Sequence, residues 1–431
     1  MSRQGAGRRP GQVRPVSAPG ALTELTIQSM GAQGDGVAAG GVMTALTLPG
    51  ERVQARVAGD RGELAQVLSP SAERVSPPCP HFGACGGCAL QHWAHEPYLD
   101  WKLQKVRTAL ARVGLEAPTR LAFAAAPGTR RRLALHARRE GGAVRLGFKA
   151  RRSWSVVPIE VCPISQPALV AAFPGLARLA GPFLASTRSA PILHASSTDT
   201  GIDVDITGVE RPGPGADALG RAARLAAEAG FARVTWDGET LYQSHAPMVR
   251  VGPATVALPA GGFLQATAEA EAAMAAILVE EAAGASGIAD LFCGIGAFSF
   301  RLAAVASVTA ADASGPAIAA LKGALASAPG LKAIRAEVRD LDRRPLLPAD
   351  LKAIDVAVFD PPRAGAVAQA ATLARSDVER VLAVSCNPAT FARDAATLVQ
   401  GGYRLQRVHV VDQFLWSSHV ELIAVFTRSL G

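Results

Sequence analysis

Between Leu22 and Val67, short apolar runs alternate with polar residues, and glycine separates them. Leu25 and Ile27 share one face of Glu24–Ile27, a second alternating run spans Val53–Val57, and turns fall at Gly31–Gly36 and Gly40–Gly41. A period of two predicts a small all-β unit, an OB-like barrel. Pro77-Pro78 ends it, and a cysteine-rich segment follows. The spacing then turns helical over Tyr98–Val113, with Leu99, Leu103, Val106 and Leu110 on one face. From Leu121 to Leu258, strands and Gly/Pro turns surround one predicted helix, Ala216–Ala229, which reads as an α+β unit. Near Gly262 the pattern changes again. An alanine-rich helix, Ala266–Ala283, leads into the apolar runs Ile288–Phe292, Ser307–Ala311, Val356–Phe359 and Val381–Ser385, with helical stretches between them. Such alternation predicts a doubly wound, Rossmann-like parallel sheet with its working loops at the carboxyl ends of the strands. Two further apolar strands, Tyr403–Asp412 and Val420–Thr427, close the chain. The expected protein is α/β in three parts: a barrel over 21–73, a central unit over 74–261 and a Rossmann-like domain over 262–431.

Composition narrows the function. Of 431 residues, 49% are hydrophobic and 19% charged, which supports a core and excludes wholesale disorder. No run approaches the roughly 18 apolar residues of a membrane span. Residues 1–20 carry Arg3, Arg8, Arg9 and Arg14 without an apolar stretch, so a loose basic tail is expected rather than a secretory signal, and the location is expected to be cytoplasmic. The net charge is +8, and the stretch Arg130–Arg152 alone has that excess, with eight arginines and Lys149 against Glu140. This density of arginine points to a polyanion, with nucleic acid ahead of a merely solvated face.

Four loops carry candidate chemistry. Asp290-Leu-Phe-Cys-Gly294-Ile-Gly296 ends a strand in a glycine turn, and Asp312 ends the next strand where a ribose contact would fall. Ser299 replaces the third glycine of the dinucleotide fingerprint, which weakens a nicotinamide reading. Asp360-Pro361-Pro362-Arg363 sets a carboxylate at the edge of an apolar strand. Ser385-Cys386-Asn387-Pro388 puts a thiol beside a helix start, where the N-terminal field favours a thiolate. His419-Val420-Glu421 puts residues i and i+2 of a strand on one face, so both side chains are expected in one pocket, with Glu421 as a base. Separately, Cys79, Cys85 and Cys88 crowd together and Cys162 lies far downstream. Four thiolates suit an iron–sulfur cubane or tetrahedral zinc; paired C-x2-C knuckles are absent, which favours the cluster.

These segments together resemble the S-adenosylmethionine-dependent RNA uracil-5-methyltransferase family, in particular its 23S ribosomal RNA branch. The resemblance covers nearly the whole chain after residue 20. It implies a TRAM domain over the barrel, including Leu48-Pro49-Gly50-Glu51, and a 4Fe–4S cluster on Cys79, Cys85, Cys88 and Cys162. It implies a class I methyltransferase domain at the C-terminus, with the helix 97–114 packed on it. Cys386 would add to uracil C6, Glu421 would remove the C5 proton, and Asp360 would hold the uracil or the cofactor edge. Gln265, Phe292, Gly294, Gly296, Asp312, Asp340 and Asp360 would contact S-adenosylmethionine, and Phe263 is a candidate stacking partner for RNA, with a buried core position the alternative. The resemblance implies a monomer acting on 23S ribosomal RNA, with transfer RNA the alternative target. An inactive cluster-containing RNA-binding protein and an exocyclic-amine N-methyltransferase are the rival functions. Departures fall at Ala297, Lys322–Leu325 and Trp416-Ser417-Ser418.

Overall fold

The computed structural model describes residues 20–184, 189–211 and 213–428. The basic tail expected at the N-terminus lies outside them, Gly20 excepted. The chain divides into two compact units, one made of the first 76 residues with His92–Ala94 and the other of the remainder.

In the first unit, five strands (Ala21–Met30, Asp35–Ala38, Met43–Ala45, Arg52–Ala58 and Arg61–Ser69) close into a barrel. Ile27, Ala38 and Val53 form its core, with Leu25 packed against it. The Leu48–Glu51 turn has a clear physical basis. Glu51 is buried, and its carboxylate accepts the amides of Leu48 and Ser71 and an Arg74 guanidinium. Burial alone would raise its pKa, but Arg74 and the two amides outweigh burial and hold it below the usual range.

The second unit contains two large sheets. A seven-stranded sheet includes the strands Arg132–Glu140, Ala143–Lys149 and Ile192–Thr198. The helices Phe173–Ala180 and Ala216–Glu228 supply apolar side chains to its core. The first of these helices was not legible, because Pro174 and Gly175 disguise its period. The other sheet has eight strands in the order 334–338, 307–312, 287–291, 356–359, 380–385, 421–427, 404–412, 119–124. Its first five strands run parallel; Glu421–Thr427 runs antiparallel to both neighbours. Strand order reverses between 287–291 and 356–359, which makes the crevice at their carboxyl ends the expected ligand site. Reversal of the Glu421 strand brings its first residue to that same edge, where Leu422 pairs with Ser385.

The strand Thr119–Ala124, grouped with the central unit on sequence pattern, is instead the edge of this sheet, parallel to Arg404–Asp412. The helix His95–Ala111 precedes it and packs on the same domain. Its Lys102 forms a fully buried ion pair with Asp412, and Tyr98 Oη donates to the other Asp412 oxygen at 2.5 Å. Burial lowers the Lys102 pKa to about 8 although Asp412 supports the charge. Removing one partner of such a pair leaves an uncompensated buried charge. Lys102→Met is therefore expected to lower unfolding free energy by about 3–5 kcal/mol in a urea melt. A loss below about 1 kcal/mol would show the pair to be neutral.

Candidate active site

Each motif loop follows a strand of the eight-stranded sheet. After Gly287–Leu291 the backbone turns sharply: Phe292 takes φ 61°, Gly294 φ 55° and Gly296 φ 92°. Phe292 is thus held in a region that side chains avoid, as ligand-clamping loops often are. The Gly294 amide donates to Asp312 Oδ2 at 2.9 Å, and Asp312 Oδ1 accepts from Ser314 at 2.7 Å. Asp312 therefore organises the loop that it faces. A Cβ on Gly294 would meet open space, whereas one on Gly296 would sit 2.8 Å from the Phe300 ring. Gly296 consequently has a packing reason of its own, beyond any ligand. Ser299 donates to Asp290, which is wholly buried, with burial pushing its carboxyl up to about 7. The residue that broke the dinucleotide fingerprint thus supports the loop.

The loops after 356–359 and 380–385 are tied to each other. Asn387 caps the helix Pro388–Gln400, accepting from Ala389 at 3.1 Å, while its Nδ2 donates to the Arg363 carbonyl at 3.1 Å. Cys386 lies between them, half-buried. The helix field does not dominate there, contrary to expectation. Burial, then Glu421 and Asp360, push the thiol up to about 11 against the pull of Arg363. Two nearby carboxylates disfavour a third negative charge.

Glu421 and Asp360 are linked by a buried amide chain. Gln265 Nε2 donates to Asp360 Oδ2 at 2.8 Å. Gln413 Nε2 donates to Gln265 Oε1 at 2.9 Å and to Glu421 Oε2 at 2.8 Å. Gln413 Oε1 accepts the Ala266 amide at 2.9 Å. Glu421 is buried, and its Oε1 makes no hydrogen bond. Burial and then Asp360 raise its pKa well above the carboxylate range, and burial pushes Asp360 up to about 7. Gln413 was not anticipated. The only signal was a polar side chain just past a long apolar strand.

Other expected groups lie apart from this cluster. Asp340 follows Ile334–Val338 and accepts from the Asp342 and Arg343 amides at 3.1 and 3.2 Å, shaping its own turn. His419 does not share the Glu421 pocket. The strand begins only at Glu421, and exposed His419 lies 3.2 Å from Arg363. The basic run is not wholly a surface either. Buried Arg131 bonds Glu271 at 2.6 Å and the Gln265 carbonyl at 3.0 Å, bracing the site. Two cation–aromatic pairs remain at the surface: Arg132 over Phe263 (65% exposed) at 4.7 Å, and Lys149 over Trp154 (75% exposed) at 3.9 Å.

Cys79, Cys85, Cys88 and Cys162 line one cavity of about 300 Å³, walled on another side by Arg363, Phe414, Ser417 and His419. All four thiols are free. Burial pushes Cys88 up to about 12, with Cys162, Cys85 and Cys79 adding to it. Among the described residues, no three His, Cys, Asp or Glu side chains form a group that could hold a metal ion. Four soft donors share that cavity, which is the donor chemistry a cluster would need.

The sequence profile described as tRNA (Uracil-5-)-methyltransferase matches residues 255–429. An uncharacterized RNA methyltransferase of Caulobacter vibrioides is 57% identical over 94% of this chain and 100% of its own length. A 23S rRNA (uracil(1939)-C(5))-methyltransferase of Halomonas elongata is 36% identical over 96% of this chain and 91% of its own. In fold, the chain is similar to the Pyrococcus abyssi tRNA (uracil-54, C5)-methyltransferase solved with S-adenosyl-L-homocysteine. That match has a TM-score of 0.71 at 21% identity and covers 94% of this chain and 99% of that one. The chain belongs to the RNA uracil-5-methyltransferase family, and it is a methyltransferase enzyme. No helix among the described residues is long and apolar enough to cross a membrane.

Proposed function

We propose that this enzyme methylates C5 of a uridine in 23S ribosomal RNA, through a covalent bond between Cys386 and C6 of the base. The observation that carries this reading is the meeting of Cys386, Asp360 and Glu421 at one sheet edge, with the two carboxylates joined through Gln265 and Gln413. Uracil C5 is a poor nucleophile. Addition of the Cys386 sulfur at C6 gives C5 enolate character, which allows it to attack an electrophilic carbon. S-adenosylmethionine supplies that electrophilic methyl when bound. Phe292, Gly294, Gly296, Asp312 and Asp340, on the loops after strands 287–291, 307–312 and 334–338, would hold it, with Gln265 and Asp360 toward the reacting end. Glu421 then takes the C5 proton through Oε1, the oxygen with no other partner. The electron pair of the C5–H bond forms the C5=C6 double bond as sulfur departs. The target base must leave its stack to reach this edge.

The barrel serves as a TRAM domain that grips RNA. The four cysteines hold a 4Fe–4S cluster that is structural, since every iron would have a protein ligand. We place the protein in the cytoplasm as a monomer. The Halomonas relative supports 23S ribosomal RNA over transfer RNA as substrate.

Phe263 precedes Leu264-Gln265 and is a stacking platform at the mouth of the site. Phe263→Ala is expected to raise KM for RNA about 5- to 150-fold, with little change in KM for S-adenosylmethionine. An unchanged KM for RNA would reduce it to a surface residue. The function itself is tested by offering anaerobically purified protein labelled S-adenosylmethionine with unmodified 23S ribosomal RNA or bulk transfer RNA. 5-Methyluridine in ribosomal RNA is expected; label in transfer RNA alone would overturn the substrate, and label on an exocyclic amine would overturn the reaction.

A further inference from the structure

We infer that Gln413 is a positioning residue for the proton-removal step, which fixes the carboxylate of Glu421 with one oxygen held and the other aimed at C5. The inference rests on the reaction proposed above and concerns a residue with no part in it so far.

Gln413 is buried, 2% exposed, immediately beyond the strand Arg404–Asp412. All its polar atoms have partners, and the partners leave its amide only one orientation. The carbonyl must face the Ala266 amide, which can only donate. The NH2 group must therefore face Gln265 Oε1 and Glu421 Oε2. That assignment turns the Gln265 NH2 toward Asp360. One side chain thus sets the direction of every hydrogen bond from Asp360 to Glu421.

The consequence for Glu421 is an asymmetric carboxyl group. Oε2 is engaged, while buried Oε1 has no partner. A buried polar atom without a partner is costly and calls for an explanation. Here the explanation is a proton acceptor that waits for the substrate's hydrogen. When Oε1 takes the C5 proton, Oε2 remains the acceptor of the Gln413 N–H, so the network need not rearrange. Without the Gln413 amide, the carboxyl group could rotate, and a misplacement of about 1 Å can cost on the order of 10²-fold in rate. Gln413 itself comes from the loop side of the strand and acts through Glu421, so it need not touch the base.

The step can be separated from the steps before it. Uracil with fluorine at C5 can accept the thiol and the methyl group, but it has no C5 proton to lose. Its adduct therefore accumulates whether or not Glu421 is well placed. Gln413→Met keeps side-chain length and removes both donors. On unmodified 23S ribosomal RNA, turnover by this variant is expected to fall about 10- to 100-fold, with a methylated protein–RNA adduct building up. On a 5-fluorouridine transcript, its rate of adduct formation should stay within about threefold of wild type. Gln413→Glu, which keeps the acceptor for Ala266 but opposes Glu421 with a second acceptor, should show the same split and serves if the methionine variant does not fold. Turnover within threefold of wild type would overturn the inference. So would an equal fall in turnover and in fluorouridine adduct formation, since that marks a structural role. Wild-type protein that forms no 5-methyluridine would instead overturn the function on which the inference rests, and the wild-type arm identifies that case separately.

Discussion

Cys386→Ala is expected to remove methyl transfer to RNA by a factor on the order of 10⁴ or more, with binding of both substrates retained. In the proposed reaction the sulfur is the atom that makes C5 nucleophilic, and no neighbouring group can replace it. Cys293 is buried on the glycine loop, where burial raises its pKa well above the thiol range. The raised pKa of Cys386 adds a pH signature. Its thiol lies at about 11 and Glu421 well above the carboxylate range, and both must lose a proton to act. The active forms of both groups therefore grow as pH rises. In wild type, kcat/KM should climb from about pH 6 to about pH 9; Arg363, which favours the thiolate, eases that climb without removing it. A rate assay across that range, with the alanine variant in parallel, checks both expectations. Residual activity of the variant within a hundredfold of wild type would show that the reaction does not pass through this sulfur.

Glu421→Gln should have the second largest effect, about 10²- to 10⁴-fold in turnover. Its character should differ from that of the cysteine variant. The amide can keep the Gln413 bond by presenting its oxygen, so the pocket persists, but it cannot take a proton. Addition and methyl transfer go forward, and the chain halts as a covalent RNA complex that survives denaturing electrophoresis. The alanine variant at Cys386 forms no such band. Loss of turnover at Glu421 without an adduct would move the base elsewhere, with Asp360, held near 7 by burial, the next group to test.

Six of the eight strands of the catalytic sheet were legible because each is a short apolar run beside a chemically distinctive loop; Ile334–Val338, with its charged residues, was not. All six expected strands start and end within one residue of the observed bounds, including Gly287–Leu291 and Arg380–Ser385. Cys386, Asp360 and Glu421 were legible for the same reason. What stayed hidden depends on contacts between residues far apart in sequence. Lys102 reads as one more solvated lysine until it meets Asp412, 310 positions away. Gln413 reads as a loop residue until Gln265 and Glu421 close around it. Arg131 looks like RNA-binding charge in the sequence, yet it braces Glu271 in the interior. The thiol of Cys386 was misjudged because the local helix N-terminus is visible in sequence, whereas two carboxylates from other strands are not.

Those long-range contacts also relate the cysteine cavity to the base. The amides of Ala89 and Leu90, directly after Cys88, donate to the Trp416 carbonyl at 2.8 and 3.0 Å, and Tyr98 Oη accepts the Trp416 amide at 2.9 Å. Trp416 sits at φ 57° in the loop between Gln413 and Glu421. The cysteine segment therefore holds the loop that leads to Glu421, the proposed base.

The most direct test of the account is the mass of the trapped complex. Wild-type protein would be incubated with S-adenosylmethionine and a 23S ribosomal RNA transcript containing 5-fluorouridine, then digested with nuclease and protease. The account predicts one modified peptide, containing Cys386 and bearing a fluorouridine nucleotide with an added methyl group. A nucleotide attached to any other residue, or methylated fluorouridine with no protein attachment, would contradict it.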